Sequence, residues 1–272
     1  MISERLIEKK NRLEASAREG LFGLPIFFPV RDAYQYLFNR AKLRSRRRMR
    51  NFYARYIQRG DLVFDVGANV GIYSEIFTEL GAKVIAIEPN PDCYRLLERF
   101  ARYRNLTVEA CAAGETPGRA LLELSDNHRL SSVNPDWRKM AQQSDLHRNS
   151  RWVGQIEVEM TTLDLLAQRY GIPRFVKIDV EGFDDQVMRG MTFTPDAITF
   201  EFNRLIPGVA ARCLAAPVVS TGYEFNYVNG ESMECGVPEW LEARDLQTRL
   251  DALVGEDDSG DVIARRVQRK LE

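Results

Sequence analysis

Histidine is almost missing from this chain: 272 residues contain only His128 and His147. That argues against a histidine-rich metal centre, and no metal is expected. Cysteine is equally sparse. Cys93, Cys111, Cys213 and Cys235 are scattered, with no Cys-x-x-Cys pair and no disulfide spacing, which points to reduced thiols and a cytoplasmic setting. Neither sign of charge dominates, since 38 Lys and Arg face 39 Asp and Glu. Nothing in that balance suggests a nucleic-acid binder. No apolar run approaches the ~20 residues that span a bilayer. Leu21 to Val30 is apolar but short, broken by Pro25 and Pro29, and follows mixed charges, so it does not read as a signal peptide. There are no internal repeats and no low-complexity tracts.

What is present begins at Val63. Leu62 to Val66 is a short, largely apolar run, with β-branched Val63 and Val66, of the kind buried on both faces of a parallel sheet. Gly67 lets the chain turn sharply out of it, and Gly71 lets the next helix pack close. Ile72, Ile76 and Leu80 follow at helical spacing, and Gly81 is the stop. A second strand, Val84 to Ile87, ends at Glu88-Pro89. An acid about twenty residues past the glycines can accept both hydroxyls of an adenosine ribose. A dinucleotide fold would want Gly-x-Gly-x-x-Gly and a bare helix end for pyrophosphate. Here the spacing is Asp65-x-Gly67-Ala68-Asn69-x-Gly71. A carboxylate before the turn repels pyrophosphate but suits the ammonium of an amino acid.

Asp65 to Gly71 resembles the first motif of class I S-adenosylmethionine-dependent methyltransferases, with Asn69 at the middle glycine. Asn tolerates positive φ better than other non-glycine residues. Together with Glu88-Pro89-Asn90-Pro91, the stretch is similar to the FkbM family. Phe175 to Phe183 adds a second likeness, because Lys177-Ile178-Asp179-Val180-Glu181-Gly182 matches that family's Lys-Ile-Asp-Val-Glu-Gly signature. Phe183 stands where the family is usually acidic. The resemblance spans roughly 51–203.

The remaining segments fall around these two motifs. Residues 1–19 are charged and helix-prone, and Leu21 to Val30 is expected to pack on its own domain, on a partner subunit or on a lipid group. Arg40 to Arg50 holds seven basic residues and no acid, a solvated helix face or a docking surface for a phosphate-bearing acceptor. Asn90 should cap a helix with Pro91 at its first position. Ala112 sits in a small-residue turn that leaves room for a flat adenine. Ala120 to Leu124 and Ile156 to Met160 read as strands, and the polar stretch over 125–155 reads as a lid or substrate loop. Lys177, mid-strand, needs a carboxylate, and Glu201 is the expected partner. Tyr223 to Gly230 reads as a closing strand with a hairpin, and the last residues read as a helical tail.

These readings predict a doubly wound α/β domain with a mainly parallel sheet, divided into a helical extension (1–50), a methyltransferase domain (51–240) and a charged helical tail (241–272). The resemblance implies S-adenosylmethionine as cofactor and methyl transfer to a hydroxyl of a sugar, glycan or secondary metabolite. The alternatives are a nicotinamide-dependent oxidoreductase and a cofactor-binding module without catalysis. A small-molecule or glycan acceptor is the expected partner, and a homo-oligomer is compatible with the sequence. Cofactor contacts are expected from Asp65, Gly67, Ala68, Asn69, Gly71, Glu88, Pro89 and Ala112. The resemblance adds Tyr53, whose segment lies over the cofactor end in that family, and Ser132 of a serine pair. Asp179 and Glu181 are the expected catalytic carboxylates, with His128 removing the proton.

Overall fold

The computed structural model describes residues 40–267 apart from 103, 145, 146, 148, 149, 207 and 254–258. The expected helix over 1–19 and the apolar stretch Leu21 to Val30 lie outside the described residues.

The chain enters through helix α1 (Arg40–Tyr53) and strand β1 (Leu62–Val66), then runs α2 (Ile72–Glu79), β2 (Lys83–Ile87), α3 (Pro91–Ala101) and β3 (Leu106–Glu109). A short β4 (Ala112–Ala113) leads to a long ribbon, β5 (Gly118–Ser125) and β6 (Trp152–Thr161). A 3₁₀ turn (His128–Leu130) and α4 (Trp137–Gln143) lie between the two ribbon strands. There follow α5 (Leu163–Tyr170), β7 (Phe175–Ile178), α6 (Asp184–Arg189), β8 (Ala197–Asn203), α7 (Val209–Leu214), β9 (Tyr223–Asn229), α8 (Ala243–Asp251) and β10 (Ser259–Arg266).

The main sheet has seven strands in the order β3-β2-β1-β7-β8-β10-β9. β10 runs antiparallel to both its neighbours, while the β1–β2, β2–β3, β1–β7 and β7–β8 pairs are parallel. Successive residues of a strand face opposite sides. Val63, Val84, Ala86 and Phe175 therefore join the core under α1 and α2, while Phe64, Ile85, Ile87 and Val176 join the core on the other face. Both cores are close to fully shielded from water, and each large side chain so buried stabilises the fold by roughly 1.5–3 kcal/mol. Local signals act as their chemistry requires. Asn90 accepts the Asp92 N–H at 3.1 Å to start α3, and Thr162 accepts the Leu165 N–H at 3.2 Å to start α5.

Three expectations need correction. The segment after 241 is not a helical tail: α8 is followed by β10, which inserts between β8 and β9 with Val262, Ile263 and Ala264 buried. β9 is the closing edge strand, and past Asn229-Gly230 the chain does turn back on it as expected, with Val228 bridged to Cys235 and the Gly236 N–H on the Tyr227 carbonyl at 2.7 Å; its other edge pairs in register with β10, thirty residues on. The border at 50 is not a border, because α1 runs through it to Tyr53. Arg46 of α1 is ion-paired with Glu75 at 2.7 Å and with Glu79, both on α2. The stretch over 125–155 is not simply a loop. β5 and β6 pair antiparallel in a second, three-stranded sheet with β4, and Trp137 is buried with its indole N–H on the Leu130 carbonyl at 3.0 Å.

Candidate active site

The site begins with backbone conformation. Gly67, Asn69 and Gly71 have φ of 78°, 51° and 84°, so the chain leaves β1 through alternate left-handed residues. At Gly67 a Cβ would lie 1.9 Å from the Asp179 carbonyl oxygen. The absent side chain is what lets the ends of β1 and β7 meet, with the Asp179 N–H on the Val66 carbonyl at 3.0 Å. Glu88, at the end of β2, is buried and accepts the Asn69 N–H at 2.7 Å on one oxygen and the Asn90 N–H at 2.8 Å on the other. Burial pushes its pKa up to about 7, against the downward pull of those two N–H donors. Asn69 also donates from its side chain to the His128 carbonyl at 3.2 Å, tying the turn to the 3₁₀ segment.

These groups line one cleft of about 1110 Å³ at the carboxyl ends of β1, β2 and β7. One side is formed by Gly67 to Gly71, Glu88, Pro89 and the small residues Cys111, Ala112 and Ala113. His128, Ser132 and Leu122 come from the ribbon. The other end is acidic: Asp179, Glu181, Glu201, Glu231 and Asp261 all reach it. Glu181 sits at φ 52°, a conformation rare outside glycine, and the following Gly182 at φ 84°. The pair is held by the ribbon, where Ser132 Oγ lies 3.0 Å from the Glu181 carbonyl and Asn134 Nδ2 lies 2.8 Å from that of Gly182. Burial raises the pKa of Glu181 well above the ordinary range, and Asp179 and Asp184 nearby raise it further. Glu201 is pushed up in the same direction, by burial and then by Glu181 and Asp179. His128 is exposed at the cleft rim, and desolvation with Arg129 alongside lowers its pKa, which favours the neutral imidazole.

Most of the residues singled out from sequence therefore converge: Gly67, Ala68, Asn69, Gly71, Glu88, Pro89, Ala112, His128, Ser132, Asp179 and Glu181 all line the cleft. Two do not. Tyr53 is fully buried among Phe52, Tyr73, Phe77 and Phe175, in edge-on ring contacts, and is a core residue beneath the cleft. Asp65 lies behind the turn, buried, accepting the Ser74 hydroxyl at 2.5 Å, with its pKa raised to about 6 mainly by burial. Lys177 is also placed differently from expectation. Its ammonium meets Asp179 at 2.7 Å and not Glu201, whose carboxylate takes the Asn203 side-chain N–H at 3.1 Å.

The sequence reading missed the α1 face of Lys42, Ser45, Arg46 and Met49, which lines the cleft. Their i, i+3, i+4, i+7 spacing was the available signal. It missed Asp261 because an acid beside glycines at 255–261 looks like loop. Among the described residues, no cluster of three or more His, Cys, Asp or Glu is arranged to hold a metal ion, and no helix is long and apolar enough to cross a membrane.

A cleft at a parallel sheet's carboxyl edge, a glycine turn after the first strand and an acid ending the second define a class I methyltransferase domain, whose cofactor is S-adenosylmethionine. The model of the FkbM methyltransferase domain matches residues 65–229, more than half of the chain, and the chain belongs to that family. A curated relative, the hexuronic acid methyltransferase AglP of Haloferax volcanii, is 28% identical over 152 residues, which is 55% of this chain and 57% of the relative. Among solved structures, a precorrin-6y methyltransferase from Geobacter metallireducens is similar at 12% identity and TM-score 0.40, covering 81% of this chain and 87% of its own. An S-adenosylmethionine-dependent O-methyltransferase from Thermotoga maritima is similar at 11% and TM-score 0.37, covering 82% and 66%.

Proposed function

We propose that this chain methylates a hydroxyl of a sugar or glycan. The observation that carries the reading is the meeting in one cleft of the Gly67 turn and Glu88 with the Asp179–Glu181 carboxylates. The cradle fits an adenosine ligand, since Gly67 and Gly71 leave no side chain in the turn and Glu88 faces the cleft. Each Glu88 oxygen takes one backbone N–H, which leaves lone pairs for two ribose hydroxyls. Ala112 and Ala113 are small enough to leave room for an adenine ring. When bound, S-adenosylmethionine supplies a methyl group already activated on a positively charged sulfur.

The rest is the work of the protein's own side chains. Asp179 accepts a hydrogen bond from a neighbouring hydroxyl of the sugar and so orients the reacting oxygen, and Glu181 supports the same pocket. His128 takes the hydroxyl proton on a ring nitrogen. Much of the rate then comes from alignment, with proton removal completing the step. The sugar assignment is supported by the hexuronic acid named for the relative and by carboxylates suited to hydroxyl donors. A phosphate-bearing carrier docking on α1 is a second reading, for which Arg44, Arg47 and Arg48 are exposed. Arg46 is taken up by Glu75 and Glu79. Four free cysteines suit a cytoplasmic enzyme.

The test is transfer of labelled methyl to a panel of hexuronic and neutral sugars. Asp179→Asn is expected to keep the fold and S-adenosylhomocysteine binding while losing turnover by about 10²-fold or more. Transfer by Asp179→Asn at the wild-type rate would remove the carboxylate from the reaction.

A further inference from the structure

Beneath the acidic end of the cleft lies a cation that the proposed chemistry does not yet use. Lys177 is 1% exposed in the middle of β7, on the face that packs under α1 and α2. Its ammonium is 2.7 Å from Asp179 Oδ2 and 4.3 Å from the centre of the Tyr73 ring. In the ladder it stands between Asp65 of β1 and Thr199 of β8. Asp179, Asp261, Tyr73 and Asp65 all act on this ammonium through the same buried space. An ammonium so placed is strongly disfavoured unless carboxylates surround it.

We propose that Lys177 is a positioning residue for methyl transfer: it grips one oxygen of Asp179 from below and so fixes the carboxylate with its other oxygen turned to the acceptor. This rests on the role proposed for Asp179. The geometry supports it in two ways. Asp179 is one-third exposed and, among the described residues, its carboxylate is held by Lys177, so without that contact its side chain would turn among rotamers. It also shares its surroundings with other acids, namely Asp65 on β1, Glu181 on its own turn, Asp184 on α6, Glu201 on β8 and Asp261 on β10. Each of these that is ionised pushes the Asp179 carboxylate away from its place. Lys177 is the cation within ion-pair distance of Asp179 that opposes them, and Tyr73 covers its far side.

The experiment compares Lys177→Met, Asp179→Asn and the double variant in the full chain, with turnover measured against sugar concentration and S-adenosylhomocysteine binding measured by calorimetry. In Lys177→Met turnover at saturating sugar should fall at least tenfold, while the KM for the sugar and the affinity for S-adenosylhomocysteine stay within a factor of about two. Adding Lys177→Met to Asp179→Asn should cost no further turnover. Wild-type turnover in Lys177→Met, or two losses that multiply, would overturn the role of Lys177. Wild-type turnover in Asp179→Asn would instead overturn the reading beneath it. If Lys177→Met does not fold, Lys177→Arg decides: it keeps the charge but displaces the carboxylate. Turnover should then fall at least tenfold with S-adenosylhomocysteine affinity kept, and wild-type turnover would refute the proposal.

Discussion

Gly67 offers the sharpest test of how the cleft is built, because its contact is with backbone and not with a yielding side chain. In Gly67→Ala the new Cβ would sit 1.9 Å from the Asp179 carbonyl oxygen and 2.8 Å from its carbon. Real contacts of this kind stay beyond about 3 Å, so the ends of β1 and β7 must part by about 1 Å. The left-handed φ of 78° adds about 1–2 kcal/mol for any L side chain, and forced overpacking adds about 1–3 kcal/mol. The expected loss is about 2–5 kcal/mol, a large part of an ordinary domain's 5–15 kcal/mol. Asp179 moves with its carbonyl, and a displacement of about 1 Å in a reacting group is worth about 10²-fold in rate.

Gly71 is the control. It has a similar φ of 84°, but its Cβ would meet only Cδ2 of Leu97, at 2.7 Å. That methyl can swing aside, so Gly71→Ala should lose little beyond the φ penalty. Urea unfolding, calorimetric titration with S-adenosylhomocysteine and turnover on both variants give the comparison. If Gly67→Ala is no worse than Gly71→Ala in stability and turnover, the close approach of β1 and β7 is not what the glycine serves.

Two further outcomes are expected. Glu88 titrates near 7 in the free protein, and ribose hydroxyls favour its ionised form, so S-adenosylhomocysteine binding should release a proton near neutrality. Affinity should weaken up to about tenfold per pH unit below 7. Calorimetry in buffers of different ionisation heat reads this, Glu88→Gln should abolish the dependence, and NADH should not bind. Stability of the free protein should fall as pH rises. Burial, first of all, raises Asp65 and Asp261 to about 6 and Asp184 and Glu88 to about 7, against ordinary values near 4. Folding then binds protons that unfolding releases, so this stability is fully present below about pH 4 and is lost as pH climbs through 6 to 7. Each group contributes at most about 3–4 kcal/mol. Urea midpoints that are flat or rising from pH 5 to 7.5 would contradict it.

The parts legible in sequence were those fixed by local chemistry. Gly67, Gly71 and Gly81 mark turns that only a residue tolerant of positive φ can make, and Asn90-Pro91 and Thr162 start helices through their own side chains. The apolar run before Gly67 and the acid after β2 needed no knowledge of the rest of the chain. What escaped was set by pairing across distance. Ser259 to Arg266 becomes a central strand only because β8 and β9 each leave an edge for it, and its approach through acids and glycines looks like loop. Tyr53 was read as a ligand contact and is core, because an aromatic in the last turn of a helix can face either way. Lys177 was assigned the acid on the neighbouring strand, yet the side chain two residues on along the same face, Asp179, was nearer to hand.

The late position of β10 in the chain has a consequence for how the protein is made. β8 carries Ile198, Phe200 and Phe202 at the edge that β10 will occupy, and Asn203 is followed by 55 residues before Ser259 emerges. At about 5–20 residues per second on the ribosome, that edge waits roughly 3–11 s without its partner. An apolar edge strand left unpaired for that long is a template for association with other nascent chains. Chains released before Ser259 would therefore be clients of chaperones and proteases and would not be weakly active enzymes. They would lack both the strand that seals the sheet and Asp261 in the cleft wall, so synthesis to the end is a condition for having a complete site at all.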